Sequence, residues 1–176
     1  MGKRSDGNFR RMKNDFYPTP KEAVLPLLPH LPKKFTYAEP CAGDGRLVDH
    51  LSELTEGEVL LKSDLEPLRS DIKEIDALSI DSLGVDYVIT NPPWSRVILH
   101  PMIDKFSTIS PTWLLFDADW MHTKQSIEYM NYCVKIVSIG RVKWIEDSLY
   151  NGKDNSAWYL FDKNFTGNTT FYGRTS

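Results

Sequence analysis

The sequence of 176 residues contains few cysteines, no long apolar run and no large excess of charge of one sign. Its two cysteines, Cys41 and Cys133, lie far apart, which predicts free thiols and excludes a disulfide framework or a cysteine-rich metal cluster. No apolar run approaches the roughly 18 residues that a membrane-spanning helix needs. The charged N-terminus also lacks the apolar core of a signal peptide. We therefore expect a cytoplasmic protein that does not enter a membrane.

The formal net charge of −3 excludes a histone-like polycation, although a local basic patch is sufficient for contact with nucleic-acid phosphates. Residues 1–14 form such a patch, with one acid, Asp6, and five basic side chains, Lys3, Arg4, Arg10, Arg11 and Lys13. We interpret these residues as a flexible basic arm. Residues 15–176 are enough for one domain with its own core, and they leave no room for a separate target-recognition domain.

Short apolar stretches typical of strands alternate with amphipathic stretches typical of helices. The expected strands are residues 35–40, 58–64, 85–90, 111–118, 132–145 and 156–162. The expected helices are residues 44–54, 96–106, 119–131 and a segment at 21–31 that Pro26 and Pro29 must shorten or kink. This order predicts an α/β fold with a doubly wound, mostly parallel sheet of the seven-stranded type and helices on both faces. Residues 64–85 are few for two crossover helices, which predicts that this half of the sheet is trimmed.

A glycine loop, "AGDG" at residues 42–45, follows the first expected strand. In doubly wound sheets, ligands bind at the carboxyl ends of the strands, and glycines there let the backbone approach a ligand closely. Glu39 precedes the loop, and Asp64 ends the next strand, where a carboxylate can hold both hydroxyls of a ribose. The loop lacks the ending of a phosphate-binding P-loop, so it suits a nucleoside without a pyrophosphate. The alternative is a tight turn in which Asp44 caps the following helix.

The motif "NPPW", Asn91 to Trp94, follows another expected strand. The Asn91 side-chain oxygen and the Pro92 carbonyl can both accept hydrogen bonds from an exocyclic amine and stabilise the positive charge that develops on that amine during attack. Pro92 and Pro93 restrict the backbone, and Trp94 offers a flat face to a base. No metal is required, and the four histidines are scattered. The alternative is a proline turn with a core tryptophan.

Four segments, "AEPCAGDGRL", "SDLEP", Asp76-Ala77 and "DYVITNPPW", follow one another as they do in class I S-adenosylmethionine-dependent methyltransferases. The chain resembles in particular the small phage and prophage enzymes that methylate adenine N6 in DNA, and "DFYPTP" upstream matches their segment over the methionine end of the cofactor. The resemblance covers about residues 15 to 162. It implies S-adenosyl-L-methionine as cofactor and a base-flipped adenine of DNA as substrate.

The resemblance also implies roles for individual residues. The cofactor would be bound by Tyr17, Pro18, Thr19, Glu39, Ala42, Gly43, Asp64, Leu65, Asp76 and Asn91. Tyr17 to Thr19 would contact its methionine part, Asp64 its ribose, and Asp76 its adenine amino group. The catalytic residues would be Asn91, Pro92, Pro93 and Trp94. Two departures from the family pattern are Cys41 in the glycine loop and the short span after Asp64.

The target strand would be contacted by Ser95 and Arg96, which follow the motif, and by basic and aromatic residues of segment 140–158. In this segment the resemblance favours Trp144 as the partner of the target base, and the interleaving of basic with aromatic residues makes Lys153 a candidate phosphate contact. The alternatives here are that Trp158 belongs to the core and that the basic residues form only a solvated face.

Other substrates and functions remain open on the sequence alone. Motifs of this type also occur in methyltransferases that act on RNA bases and on protein glutamines, and Asn91 replaces the Asp of many DNA enzymes. A module that binds cofactor or nucleic acid without catalysis is a third hypothesis. Both a monomer and a homodimer are compatible with the sequence.

Overall fold

The computed structural model describes residues 17–147, 149 and 151–175. The basic arm expected at residues 1–14 lies outside these described residues and stays a prediction. In the described part of the chain, no helix is both long and apolar enough to span a bilayer.

Within the described residues, eight strands form one sheet, with the spatial order β3-β2-β1-β4-β5-β7-β6-β8. In chain order they are β1 Lys34–Glu39, β2 Glu56–Asp64, β3 Lys73–Glu74, β4 Tyr87–Thr90, β5 Thr112–Asp117, β6 Cys133–Arg141, β7 Asn155–Phe161 and β8 Thr170–Tyr172. All neighbours are parallel except β7, which is antiparallel to both β5 and β6. The predicted mostly parallel, doubly wound sheet is therefore confirmed. Strands β3 and β8 were not among the six expected strands, and with them the sheet has eight strands, one more than the seven-stranded type.

The helices are short apart from two. They are α1 Lys21–Val24, α2 Arg46–Leu54, α3 Arg96–Ile109 and α4 Ile127–Met130. As expected from its prolines, α1 ends early and continues as a 3-10 helix over Leu25–His30. Between β2 and β4, all of it described, the only regular elements are β3 and a 3-10 turn at Ala77–Ser79, so the trimmed half of the sheet is confirmed.

Both faces of the sheet carry a packed core. Residues of β5 alternate between the faces, and its four apolar residues are fully buried. Trp113 and Leu115 pack with α1 and α2, whereas Leu114 and Phe116 pack with α3 and the segment after β5. Trp158 also belongs to the first cluster and donates to the Ala23 carbonyl at 2.8 Å. Trp158 is thus a core residue, and it does not face a substrate.

Two secondary-structure predictions were wrong in extent. The helix expected at 119–131 is broken into 3-10 turns at Ala118–His122 and Lys124–Ser126, followed by the short α4. The Thr123 and Ser126 hydroxyls donate to backbone carbonyls, at 2.8 and 2.9 Å, and such local bonds compete with a regular helix. The strand expected at 132–145 ends at Arg141, after a register shift beside Gly140, whose φ of 78° is left-handed.

Candidate functional site

A cavity of about 1000 Å³ opens beyond the carboxyl ends of β1, β2 and β4. The strand order reverses between β1 and β4, and this switch point is where open α/β sheets bind ligands. Nine of the ten residues predicted to bind a cofactor line the cavity, namely Tyr17, Pro18, Thr19, Glu39, Ala42, Asp64, Leu65, Asp76 and Asn91. The tenth, Gly43, is buried behind them and is not part of the cavity wall.

The glycine loop turns sharply between β1 and α2. Gly43 and Gly45 have φ values of 53° and 83°, in the left-handed region that favours glycine. The Gly45 N–H donates to the Ala42 carbonyl at 2.7 Å and closes the turn. Gly45, and not Asp44, occupies the N-cap position of α2. The Asp44 carboxylate nevertheless accepts from the Arg46 N–H, the first N–H of that helix, at 3.1 Å, so the side-chain capping bond of the alternative is present, and Asp44 also lines the cavity.

Asp64 joins this loop to the segment that follows β2. Its Oδ2 accepts from the Gly43 N–H and its Oδ1 from the Glu66 N–H, each at 2.8 Å. Each carboxylate oxygen has about two acceptor sites, so both can still accept a bond from a ligand in the cavity. Asp64 therefore fixes the loop and presents two acceptors at the same time.

Arg69 is a residue that the sequence patterns did not single out. It lies in the segment that replaces a crossover helix after β2, and its guanidinium donates to the Asp44 carbonyl at 3.3 Å and to Asp49 at 2.6 Å. It also forms an ion pair with Asp71 at 2.9 Å, and this pairing holds the pKa of Asp71 well below its usual range. A Cβ at Gly45 would lie 2.4 Å from the Arg69 guanidinium, which would have to move, and the left-handed φ of Gly45 favours glycine in any case. A single loop arginine gives no periodic signal, because its partners are distant in sequence.

The "NPPW" motif begins directly after β4. The Asn91 amide Nδ2 donates to the Tyr17 carbonyl and to Thr19 Oγ1, both at 3.2 Å. The Trp94 indole N–H lies 3.4 Å from Asn91 Oδ1 and 3.2 Å from the Leu115 carbonyl. Asn91 lines the cavity and Trp94 is only half-buried, which argues against a tryptophan that serves the core alone. Pro92 is buried, whereas Pro93 faces the cavity.

The remaining predicted substrate residues lie outside the cavity wall. Trp144 is brought to the motif, since its ring centroid is 5.8 Å from that of Trp94, edge to face, and 6.2 Å from that of Tyr17. Ser95 precedes α3, and Arg96 at its start donates to Gln125 at 2.8 Å. Lys153 is exposed on the connection between β6 and β7, and no contact among the described residues places it at the site.

Glu39, at the end of β1, is almost completely buried, with 1% of its surface exposed. Burial raises the pKa of this carboxyl to about 8, although the Cys41 N–H donates to it at 2.9 Å. Burial also raises the pKa of the neighbouring Cys41 thiol, which packs against Met102. Cys41, which departs from the family pattern, is thus an uncharged part of the cavity wall next to the buried Glu39 carboxyl.

We expect Glu39 to make the free protein less stable at alkaline pH. The folded state keeps the Glu39 proton up to about pH 8, whereas the unfolded chain loses it near the ordinary value of 4.5. The free energy of unfolding should therefore fall as pH rises between these values, and the Glu39→Gln variant should lack this decline. Thermal unfolding from about pH 5 to about pH 8.5 measures the effect. A Tm difference between variant and wild type that does not change with pH would contradict it, and the exposed Glu58→Gln is the control.

No family model and no curated sequence matches the chain. Solved structures of other proteins do match the chain. A dimethyladenosine transferase from Plasmodium falciparum matches with a TM-score of 0.56 and 14% identity, over 84% of this chain and 62% of that protein. A chain of a type I restriction–modification system matches with a TM-score of 0.57 and 13% identity, over 94% of this chain and 46% of that one. The 23S rRNA methyltransferase ErmE matches with a TM-score of 0.52 and 13% identity, over 84% and 70%.

The chain has the Rossmann-like methyltransferase fold. It spans 62% and 46% of the length of the first two of these proteins, so each of them contains parts that this chain does not match. At 13–14% identity the likeness establishes the architecture alone.

Proposed function

We propose that the protein binds S-adenosyl-L-methionine in the cavity and transfers its methyl group to the exocyclic N6 amine of adenine in DNA. The observation that carries the proposal is the position of Asn91, which lines the same cavity as Glu39 and Asp64. The acceptor for a target amine, on Asn91, and the acceptors for a nucleoside, on Asp64, therefore lie on the wall of the same cavity. A proline turn formed only for structural reasons would not need this arrangement.

The described side chains fit this cofactor. The two acceptors that Asp64 presents suit the paired hydroxyls of a ribose, and the exposed Leu65 beside it offers an apolar surface to a purine. The Asp76 side chain already caps a 3-10 turn through the Leu78 N–H at 2.9 Å and lines the cavity near that surface. The ionised form of Glu39 suits the ammonium group of the methionine part, whose charge would lower the pKa that burial raises in the free protein. When bound, the cofactor supplies a methyl group activated by its sulfonium charge.

The motif supplies the complementary chemistry. Amine hydrogens of the target base would bond to Asn91 Oδ1 and to the Pro92 carbonyl, which favours a pyramidal nitrogen and stabilises the charge that develops on it. The buried Pro92 holds its carbonyl in place. The edge-to-face pair of Trp94 and Trp144 gives an extruded base aromatic surfaces on two sides.

The choice of DNA rests on the resemblance to adenine-N6 enzymes, and the charge distribution agrees with a nucleic acid. Of the 21 basic and 24 acidic residues, five basic and one acidic lie in residues 1–14, so the rest of the chain is acidic. The arm is joined through only two residues to Tyr17, which lines the cavity. Phosphate attraction by the arm would therefore act beside the site.

An RNA adenine is the second candidate, because one of the matched proteins is described as a dimethyladenosine transferase and another as a 23S rRNA methyltransferase. The deciding experiment expresses the wild type and the Asn91→Ala variant in cells without adenine methylation. DNA and RNA are then digested separately to nucleosides and analysed by mass spectrometry. We expect N6-methyldeoxyadenosine from the wild type alone. If methylated adenine is found only in RNA, the substrate is RNA and not DNA. If it is found in neither polymer, the proposal is wrong.

Arg69 should support cofactor binding from outside the cavity. Without the Arg69 guanidinium, no hydrogen bond from this residue joins the Asp44 carbonyl to the segment after β2. Cofactor binding must then also order the glycine loop. We expect Arg69→Ala to raise the cofactor Kd about fivefold, since partly exposed ion pairs contribute about 0.2–1 kcal/mol each. Calorimetric titration with S-adenosyl-L-methionine measures this change. Lys33→Ala, at the opposite end of β1, is the control, and an equal effect in both variants would contradict the expectation.

A further inference from the structure

Thr19 is a buried hydroxyl residue that lies between the cavity and the catalytic motif. It is 5% exposed, it lines the cavity, and its Oγ1 accepts from Asn91 Nδ2 at 3.2 Å. The resemblance to known enzymes assigns Thr19 only to the methionine part of the cofactor. Its bond to Asn91 adds a contact with a residue that would touch the target amine.

The surroundings of Asn91 permit only one orientation of its amide. The Tyr17 carbonyl can only accept a hydrogen bond, so the amide nitrogen must face it. The Trp94 indole N–H can only donate, so the amide oxygen must lie on its side. Thr19 Oγ1 takes the second amide hydrogen, and both hydrogens are then engaged. The bond from Trp94 is long, at 3.4 Å, and it is shared with the Leu115 carbonyl, so Asn91 Oδ1 keeps acceptor capacity.

The Thr19 hydroxyl has a hydrogen of its own to donate. Because Thr19 Oγ1 acts as the acceptor in the bond from Asn91, the hydroxyl hydrogen is available for another partner, and none of the described residues accepts it. Because Thr19 lines the cavity, its hydroxyl borders the space in which the carboxylate of a bound cofactor would lie. One hydroxyl can thus be bonded to the cofactor and to the Asn91 amide at the same time.

We propose that Thr19 is a positioning residue for methyl transfer: it holds the Asn91 amide with its oxygen directed to the target amine, and it links that orientation to the occupied cofactor site. This proposal rests on the proposed function. It also explains why an amide suits position 91. An aspartate there would place a carboxylate oxygen next to the Tyr17 carbonyl oxygen, and neither of these atoms can donate a hydrogen bond to the other.

The test compares Thr19→Val, which keeps the shape without the hydroxyl, with Thr19→Ser, which keeps the hydroxyl. With saturating S-adenosyl-L-methionine and adenine-containing DNA, Thr19→Val should lower the single-turnover rate about tenfold to a hundredfold, because a small misplacement of a catalytic group is costly. Thr19→Ser should stay within about threefold of wild type. Thr36→Val, which removes a half-buried hydroxyl at the far end of β1, should leave the rate unchanged.

A double mutant separates positioning from packing. If Thr19 acts through Asn91, Thr19→Val should have no further effect on the rate in an Asn91→Ala background. Equal rates for Thr19→Val and wild type, or a Thr19→Val change confined to the cofactor Kd, would overturn the inference while leaving the proposed function intact. Should Thr19→Val unfold at the assay temperature, Thr19→Ala decides by the same comparison. A wild type that methylates no adenine would instead overturn the proposed function itself.

Discussion

Replacing Asn91 by alanine should abolish most of the methyl transfer while leaving the cofactor bound. The variant loses one of the two acceptors that stabilise the developing charge on the amine, and the loss of one such group in other enzymes costs about a hundredfold to a thousandfold in rate. The cofactor Kd should rise by no more than about thirtyfold, because the two lost bonds, from Asn91 to Tyr17 and to Thr19, are between neutral groups and are worth about 1 kcal/mol each. Single-turnover methylation and calorimetric titration measure the two quantities separately.

This pair of measurements also tests the hypothesis of a binding module without catalysis. A module of that kind would show no turnover in the wild type, so Asn91→Ala could not reduce it. Asn131→Ala, in an exposed position after α4, is the matched control and should behave as wild type. A variant that loses the cofactor as completely as it loses turnover would show that Asn91 serves the cavity wall rather than the amine.

Much of the fold was predictable because its signals are local. The strands alternate with helices in a fixed order, and the prolines at 26 and 29 mark where α1 has to stop. The helix expected at 119–131 failed because hydroxyls at 123 and 126 bond to the backbone, and a hydrophobic pattern does not register this competition. The strand β8 was missed because its three residues are exposed at the edge of the sheet and have no apolar alternation.

The candidate site divides in the same way. Residues that lie next to a strand end, such as Glu39, Asp64 and Asn91, could be assigned because the topology of a parallel sheet brings strand ends together. Arg69 could not, since its partners at 44 and 49 meet it only after β2 has paired with β1. Trp144 was assigned through the resemblance, and its ring does lie beside Trp94. Lys153 had no comparable neighbour among the described residues, and its role stays a prediction.

Replacing Asp64 by alanine should weaken cofactor binding by at least about a hundredfold. The change removes two acceptors for the ribose, and hydrogen bonds to a charged group contribute about 1.5–3 kcal/mol each. It also releases the Gly43 and Glu66 N–H groups that Asp64 holds at 2.8 Å, so the glycine loop has to be ordered on binding. Asp64→Asn, which keeps one acceptor oxygen, should lie between the alanine variant and wild type. Calorimetric titration with S-adenosyl-L-methionine provides the three values.

A cofactor analogue without the ribose 2′-hydroxyl separates the two roles of Asp64. If the carboxylate binds the ribose, wild type should lose affinity for the analogue, whereas Asp64→Ala should bind the analogue and the complete cofactor equally. If Asp64 acts only by fixing the loop, both proteins should lose affinity for the analogue to the same extent, and the assignment to the ribose would be wrong. The exposed Asp81→Ala serves as the charge-matched control, because it removes a carboxylate without touching the cavity.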